Sequence, residues 1–227
     1  MLRNTLQFVT MLHANNTREW FADHRPQYLE AKEEFEHFVQ LLIAGIRSFD
    51  PEPGWITPRE TLFRIYRDTR FSPDKTPYKN HFSAYLAKGG RKSPYAGYYL
   101  HIEPQGAGYL GGSLLSGGIY APESAVLKQL REEIYYHYSE FLGLTGEPEF
   151  ARNITWFETE MLKTTPRGFP RDFAGDAWLR RRDYCFFTSL PEELIESETL
   201  LDRALETFSR MTPLNHFLNR ALVFGNE

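Results

Sequence analysis

Hydrophobic residues in this chain recur at helical spacing up to about residue 49, alternate at period two from about residue 61, and return to helical spacing after Pro122. Leu2, Leu6, Val9 and Leu12 predict a first helix that ends near His13 and Ala14. In "NNTREWF", Asn16 is the expected N-cap, with Glu19 three residues on as in a capping box, and Trp20 and Phe21 turned to the core. Tyr28, Phe35, Phe38, Leu42 and Ile46 line one side of a long helix over residues 26–49, which "DPEPGW" stops with two prolines and a glycine. "TLFRIYR" then reads as a strand, with Phe63, Ile65 and Arg67 on one face and Leu62, Arg64 and Tyr66 on the other. "SPDK" is a turn with proline at its second position, where a fixed φ suits it. "HFSAYLA" and "YAGYYLHIE" follow as strands, so residues 61–103 are expected to form consecutive antiparallel strands, and "GYLGGSLL" and "GGIYA" extend the glycine-rich β region.

Val126, Leu127, Leu130, Ile134 and Tyr138 mark a further helix, closed near Gly143 or Gly146. "ITWFETEML" and "DYCFFTSL" read as late strands or buried segments with a short helix around Trp178 between them. A last helical stretch covers residues 198–223, broken near Pro213. Helices, then a block of strands, then helices again define an α+β fold: a mainly antiparallel sheet in the middle of the chain, packed by N-terminal and C-terminal helices. No repeat or long linker divides the chain, so a single domain over 1–227 is expected.

Composition narrows the partners. Hydrophobic residues make up 41% and aromatics 15%, which supplies a core and excludes a disordered chain. The net charge of −4 argues against a general nucleic-acid or membrane-surface binder. The charge is uneven, however: residues 59–80 carry six Lys or Arg against three Asp or Glu, leaving −7 for the rest. Cys185 is the sole cysteine, so no internal disulfide can form and a reducing compartment is expected. Gln7, Thr10 and His13 interrupt any apolar run behind Arg3, and the longest apolar run, "LLIAGI", is far short of the roughly 20 residues that cross a bilayer. Without a secretion signal, the Asn-x-Thr triplets at Asn15 and Asn153 are read as chance, and a cytoplasmic protein is expected.

Several familiar chemistries lack their residues. "GAGYLG", residues 106–111, matches the dinucleotide fingerprint in letters, but "GGSLLSGG" follows where the fingerprint requires a helix, so turns between strands explain the glycines better. There is no phosphate-binding GxxxxGK[ST] loop and no GxSxG nucleophile. His101 and Glu103 share one face of a strand, with His81 on a neighbouring one, yet no recognised ligand spacing accompanies them and no tightly held zinc or iron is expected. Cys185 lies among aromatics in "DYCFF", the setting of a buried inert thiol. The residues name no cofactor and no oligomeric state.

The local basic excess is the remaining signal. "RIYRDTRFSPDKTPYKN", residues 64–80, holds Arg64, Arg67, Arg70, Lys75 and Lys79 against Asp68 and Asp74. Three such cations about 7 Å apart, at an effective dielectric near 20, would repel by roughly 7 kcal/mol in total. That is comparable with a domain's whole stability of about 5–15 kcal/mol, so convergence demands anions. In one reading an anionic small molecule, phosphate- or carboxylate-bearing, supplies them. Arg64, Arg67, Arg70, Lys75 and Lys79 would then hold the ligand through charge-assisted contacts. Asp68 would orient an arginine or act as a base, and Tyr78 would donate a hydrogen bond or offer a stacking face. In a second reading the same surface grips an acidic or phosphorylated macromolecule. In a third the side chains diverge into a structural ion-pair network around the turn.

This stretch also carries a family resemblance. "RIYRDTRFSPDKTPY" fits the pattern RxxRDxRFxxxKxPY of the bacterial family called domain of unknown function 2461. "FVTMLHANNTREWFADHRPQY" resembles that family's opening, "GYYLHIEP" its middle and "LKTTPRGF" its later segment. The signature falls on Arg64, Arg67, Asp68, Arg70, Phe71, Lys75, Pro77 and Tyr78. Thr164 and Thr165 depart from the pattern, beside Lys163 and Arg167. The resemblance implies a single-domain cytoplasmic protein of this length and implies no activity.

Overall fold

The computed structural model describes residues 1–224. The chain opens with helices α1 (Arg3–Ala14), α2 (Arg18–Asp23), α3 (Arg25–Ile46) and the short α4 (Pro58–Thr61). Strands β1 (Phe82–Leu86), β2 (Gly97–Ile102) and β3 (Leu114–Ile119) follow. Then come α5 (Ser124–Tyr136), α6 (Tyr138–Thr145), α7 (Pro148–Asn153), β4 (Thr155–Trp156), α8 (Asp176–Leu179), β5 (Tyr184–Ser189), α9 (Glu192–Glu196) and α10 (Leu200–Phe224). The sheet order is β1-β2-β3-β5-β4 and every pairing is antiparallel. This is the α+β arrangement of the sequence reading, with helices from both ends of the chain around a central sheet. Among the described residues no helix is long and apolar enough to cross a membrane.

Alternation gives the sheet two unlike faces. Phe82, Ala84 and Leu86 of β1 pair with Ile102, Leu100 and Tyr98 of β2, and all six are buried. This apolar face receives the helices: Phe82 packs on Phe8 of α1 and Phe35 of α3, and Tyr98 packs on Phe208 of α10. On the opposite face Ser83 pairs with His101 and Tyr85 with Tyr99, and Glu103 continues that polar row. A row of polar side chains on a buried sheet face needs hydrogen-bond partners, and its strand-end groups become the floor of the site described below.

Some local expectations needed correction. Residues 61–67 form no strand. Thr61 ends α4, whose start is fixed by a capping box in which Glu60 accepts from both the N–H and the hydroxyl of Thr57. Beyond it only isolated bridges form, Leu62 to Ala84 and Tyr66 to Tyr78. The segment turns from β1 to its own return arm: Phe63 N donates to Ser83 O, whereas Arg67 N donates to Pro77 O. Pro77 has no N–H to return, so the ladder cannot propagate. The N-cap of α2 is Thr17, which accepts from Trp20 N, and Asn16 is used elsewhere. The helix expected to close near Gly143 or Gly146 divides at His137 into α5 and α6.

The break expected at Pro213 is absent, and α10 runs through it. Pro213 lies on the exposed side of the helix, where its ring meets water rather than the packed core. The "GYLGG" stretch is loop, and β3 starts only at Leu114. Gly143, inside α6, has an exposed position and nothing within 4 Å of an added Cβ. Gly143→Ala is therefore expected to stabilise the protein by about 0.5–1 kcal/mol, by removing glycine's helix penalty. A rise in the urea midpoint at unchanged m-value would register it.

Candidate functional site

The polar face of β1 and β2 ends beneath a cleft of about 460 Å³, lined by His13, Asn16, Arg67, Asp68, Asp74, Thr76, Tyr78, Lys79, Asn80, His81, Ala107, Gly108 and Tyr109. Three separate stretches of chain therefore meet there, and side-chain amides tie them together. Asn16 donates to Tyr78 O (2.9 Å) and accepts from Tyr78 N (3.2 Å), so it bonds an extended backbone reciprocally. Asn80 donates to Ala107 O at 3.0 Å and meets Nδ1 of His13 at 3.2 Å. The Tyr78 ring stacks on Phe21 at 4.0 Å between centroids and is buried, anchoring the segment to the helical core.

Behind the cleft lies a buried carboxylate. Burial pushes Glu103 upward, but the hydrogen bonds from His101 and from the N–H groups of Leu110 and Tyr109 outweigh it and hold the group at about 2. Those backbone bonds measure 2.8 Å and 2.9 Å, and the His101 Nε2 contact is 3.2 Å. The glycine-rich loop 105–112 thus wraps a side chain of its own protein. Gly106, Gly108 and Gly111 adopt positive φ in doing so, and β3 follows without an intervening helix, unlike a dinucleotide loop. With Nε2–H donated to Glu103, the other nitrogen of His101 accepts from Tyr99 Oη at 3.0 Å. Burial lowers the pKa of His101 despite the carboxylate, so the ring is neutral near pH 7.

The five cations are distributed rather than converged. Arg67 bonds Asp74, Thr76 and Ser72 at the lip, and its hydrogen bond holds the Asp74 carboxyl at about 2. Arg70 grips Asp68 through Nε at 3.0 Å and Nη2 at 2.7 Å, but its side chain is 76% exposed and it does not line the cleft. That contact lowers the pKa of Asp68. Lys75 donates to Thr69 O at 2.9 Å, closing the loop on itself away from the cleft. Arg64 is exposed and outside the cleft as well. Lys79 lines it, half-buried, with Nζ 5.4 Å from the Phe63 ring centroid. Burial and then the charge of Arg64 lower the pKa of Lys79. Among the described residues neither Lys79 nor Arg64 makes an ion pair.

Of the residues singled out from sequence, the fold thus brings Arg67, Asp68, Tyr78 and Lys79 to one cleft and leaves Arg64, Arg70 and Lys75 outside it; Lys163 and Arg167 do not line it either. Sequence reasoning missed His13, Asn16 and Asn80, and weighed His81 only as a metal ligand. A signal for His81 did exist: alternation along β1 places it on the face of Ser83 and Tyr85, next to His101 and Glu103. Among the described residues no group of three His, Cys, Asp or Glu is placed to hold a metal ion. Cys185, buried on β5, has its thiol pKa raised by burial.

Fold and cleft together define an α+β protein whose antiparallel sheet ends in a polar cleft, fronted by a lysine- and arginine-bearing lip. The chain belongs to the family described as "Conserved hypothetical protein (DUF2461)", whose model matches residues 4–217. No curated protein and no solved structure matches it.

Proposed function

We propose that this cleft binds a small anionic molecule, with Lys79 as its principal charge and Arg67 at its lip. The observation that carries the reading is Lys79, a half-buried ammonium lining a concave cleft and making no ion pair among the described residues. Asp68 and Asp74, the nearest acids at the rim, are engaged by Arg70 and Arg67. A cation desolvated without a partner is costly, and an incoming phosphate or carboxylate offsets that cost. Concavity supports a small ligand over a macromolecular surface, because an open strip of charge would suit the latter better. Asp68 and Tyr78, the acid–base candidates from sequence, both reach the cleft, but Asp68 is occupied by an arginine and Tyr78 is held by stacking.

The test is titration of the purified chain with sulfate, followed by calorimetry and thermal shift. Lys79→Met should weaken sulfate binding at least about tenfold, the loss of one charge-assisted contact. The variant should itself fold with stability within about 1 kcal/mol of the wild type, because the charge removed leaves no buried acid unpaired and gives up only its contact with the Phe63 ring. Equal sulfate affinity in both proteins, or none in either, overturns the reading.

A further inference from the structure

His81 stands at the end of the polar face, just before β1, and lines the cleft while being only 5% exposed. Its ring lies against two others: His101, 4.5 Å away between centroids, and Tyr109 of the glycine-rich loop, stacked at 4.6 Å. Its Nδ1 is buried and has no hydrogen-bond partner. Buried polar atoms in folded proteins are nearly always bonded, so this imidazole is unusual in lining a cleft while one of its nitrogens is left unsatisfied.

The groups around this imidazole say what kind of partner would suit it. From β2 comes His101 and from just past its end Glu103; from the chain leading into β1 comes Lys79; also lining the cleft is Arg67; from the loop comes Tyr109; and from α1 comes His13, reached through Asn80. Among the described residues Glu103 is the carboxylate that favours an imidazolium at His81, and its oxygens are taken by His101 and by two backbone N–H groups. Burial, then His101 and Lys79, drive the His81 pKa down to about 3, so the ring is neutral when the cleft is empty at neutral pH.

We propose that His81 contacts the anion directly and becomes protonated as a tetrahedral dianion, of the phosphoryl or sulfate class, docks between it and Lys79. This rests on the anion-binding reading above and gives it a ligand class. A monoanion would satisfy Lys79 and leave the imidazole no reason to ionise. A dianion cancels the cationic field and still offers charge to a second donor. The proton comes from solvent, stays on the imidazole, and is shared with a ligand oxygen as an N–H···O hydrogen bond, with no covalent bond made or broken. Binding and proton uptake are then linked: affinity strengthens as pH falls, by up to about tenfold per pH unit, between the free and the ligand-bound pKa of His81.

Sulfate is the suitable probe because it is a dianion throughout the range, so any pH dependence belongs to the protein. Calorimetric titrations of the wild-type chain between about pH 4.5 and pH 6.5, in buffers of different ionisation enthalpy, should show net proton uptake and an affinity that falls as pH rises. In His81→Gln the affinity should become independent of pH, while His13→Gln, from the other cleft histidine, should keep the wild-type slope. Should His81→Gln fail to fold, imidazole nitrogen NMR of the wild type serves instead: added sulfate should move His81 from the neutral to the imidazolium signature. Sulfate binding with no pH slope, a slope unchanged in His81→Gln, or an unmoved His81 signal overturns this inference and leaves the anion site standing. No sulfate binding at any pH overturns both.

Discussion

Gly118→Ala is expected to cost at least about 4 kcal/mol and to leave much of the protein unfolded or insoluble, since whole domains are stable by only about 5–15 kcal/mol. A Cβ at this position would lie 1.9 Å from the carbonyl oxygen of Tyr184 and 3.1 Å from Cα of Cys185. Both belong to the backbone of β5, which faces Gly118 in register, so no side-chain rotation can relieve the clash. The residue also holds φ at +99°, a region that L side chains rarely occupy. The Gly118 N–H is also held by Asn215 Oδ1 of α10, a buried bond of 2.9 Å, so β3 is anchored on its other side as well. Urea melts and soluble yield check the prediction; a midpoint equal to that of the wild type would refute it.

Acid should destabilise the protein through His81. The imidazole is held near 3 in the folded chain against 6.5 for an ordinary histidine, so between these values the unfolded chain binds the extra proton. Stability from this group is therefore fully present above about 6.5 and is lost steadily as pH falls toward about 3. At about 1.4 kcal/mol per pH unit, moving from pH 6.5 to pH 4 should remove about 3 kcal/mol. His101, its pKa lowered mainly by burial, acts in the same direction. Glu103 follows in a more acidic window: held at about 2 against 4.5, it contributes above 4.5 and loses that contribution as pH falls through 2. Urea melts across this range should show a shallower pH slope in His81→Gln than in the wild type, and equal slopes would show that His81 does not carry the effect.

The long helices α1, α3 and α5 and the first two strands were legible because each has an uninterrupted period and a face to bury, whereas the short α4, α7 and α9 have too few residues to show one. Leu6, Val9 and Leu12 in α1, and the alternation in β1 and β2, state their structure locally. Residues 61–67 alternate too, but their pairing was decided by Pro77, a residue on the other arm of the turn, which cannot donate. Pro213 misled because its meaning depends on which side of α10 meets water. The site shows the same division. The sequence announces a cluster of cations, while solvent exposure and local acids decide which remain available: Asp74 and Asp68 take Arg67 and Arg70, and Lys79 is left facing the cleft. His13 and Asn16 arrive from the end of α1 and the turn after it, and only the folded topology brings them to the cleft.

The closing of the sheet bears on how the chain is made. Asn215 of α10 accepts from Gly118 N and donates to Gly97 O, the two residues facing one another on β3 and β2. One turn on, Asn219 accepts from Ala96 N and donates to Ala96 O. The rim of the sheet is therefore sealed by amides from a helix synthesised after every strand it closes. A nascent chain leaving the ribosome presents β1, β2 and β3 early, with the outer edge of β3 unpaired until β5 has emerged and the rim open until α10 docks. Completion of this protein is thus expected to follow translation of residue 219 rather than accompany it, with β3 the strand most in need of shielding in the interval.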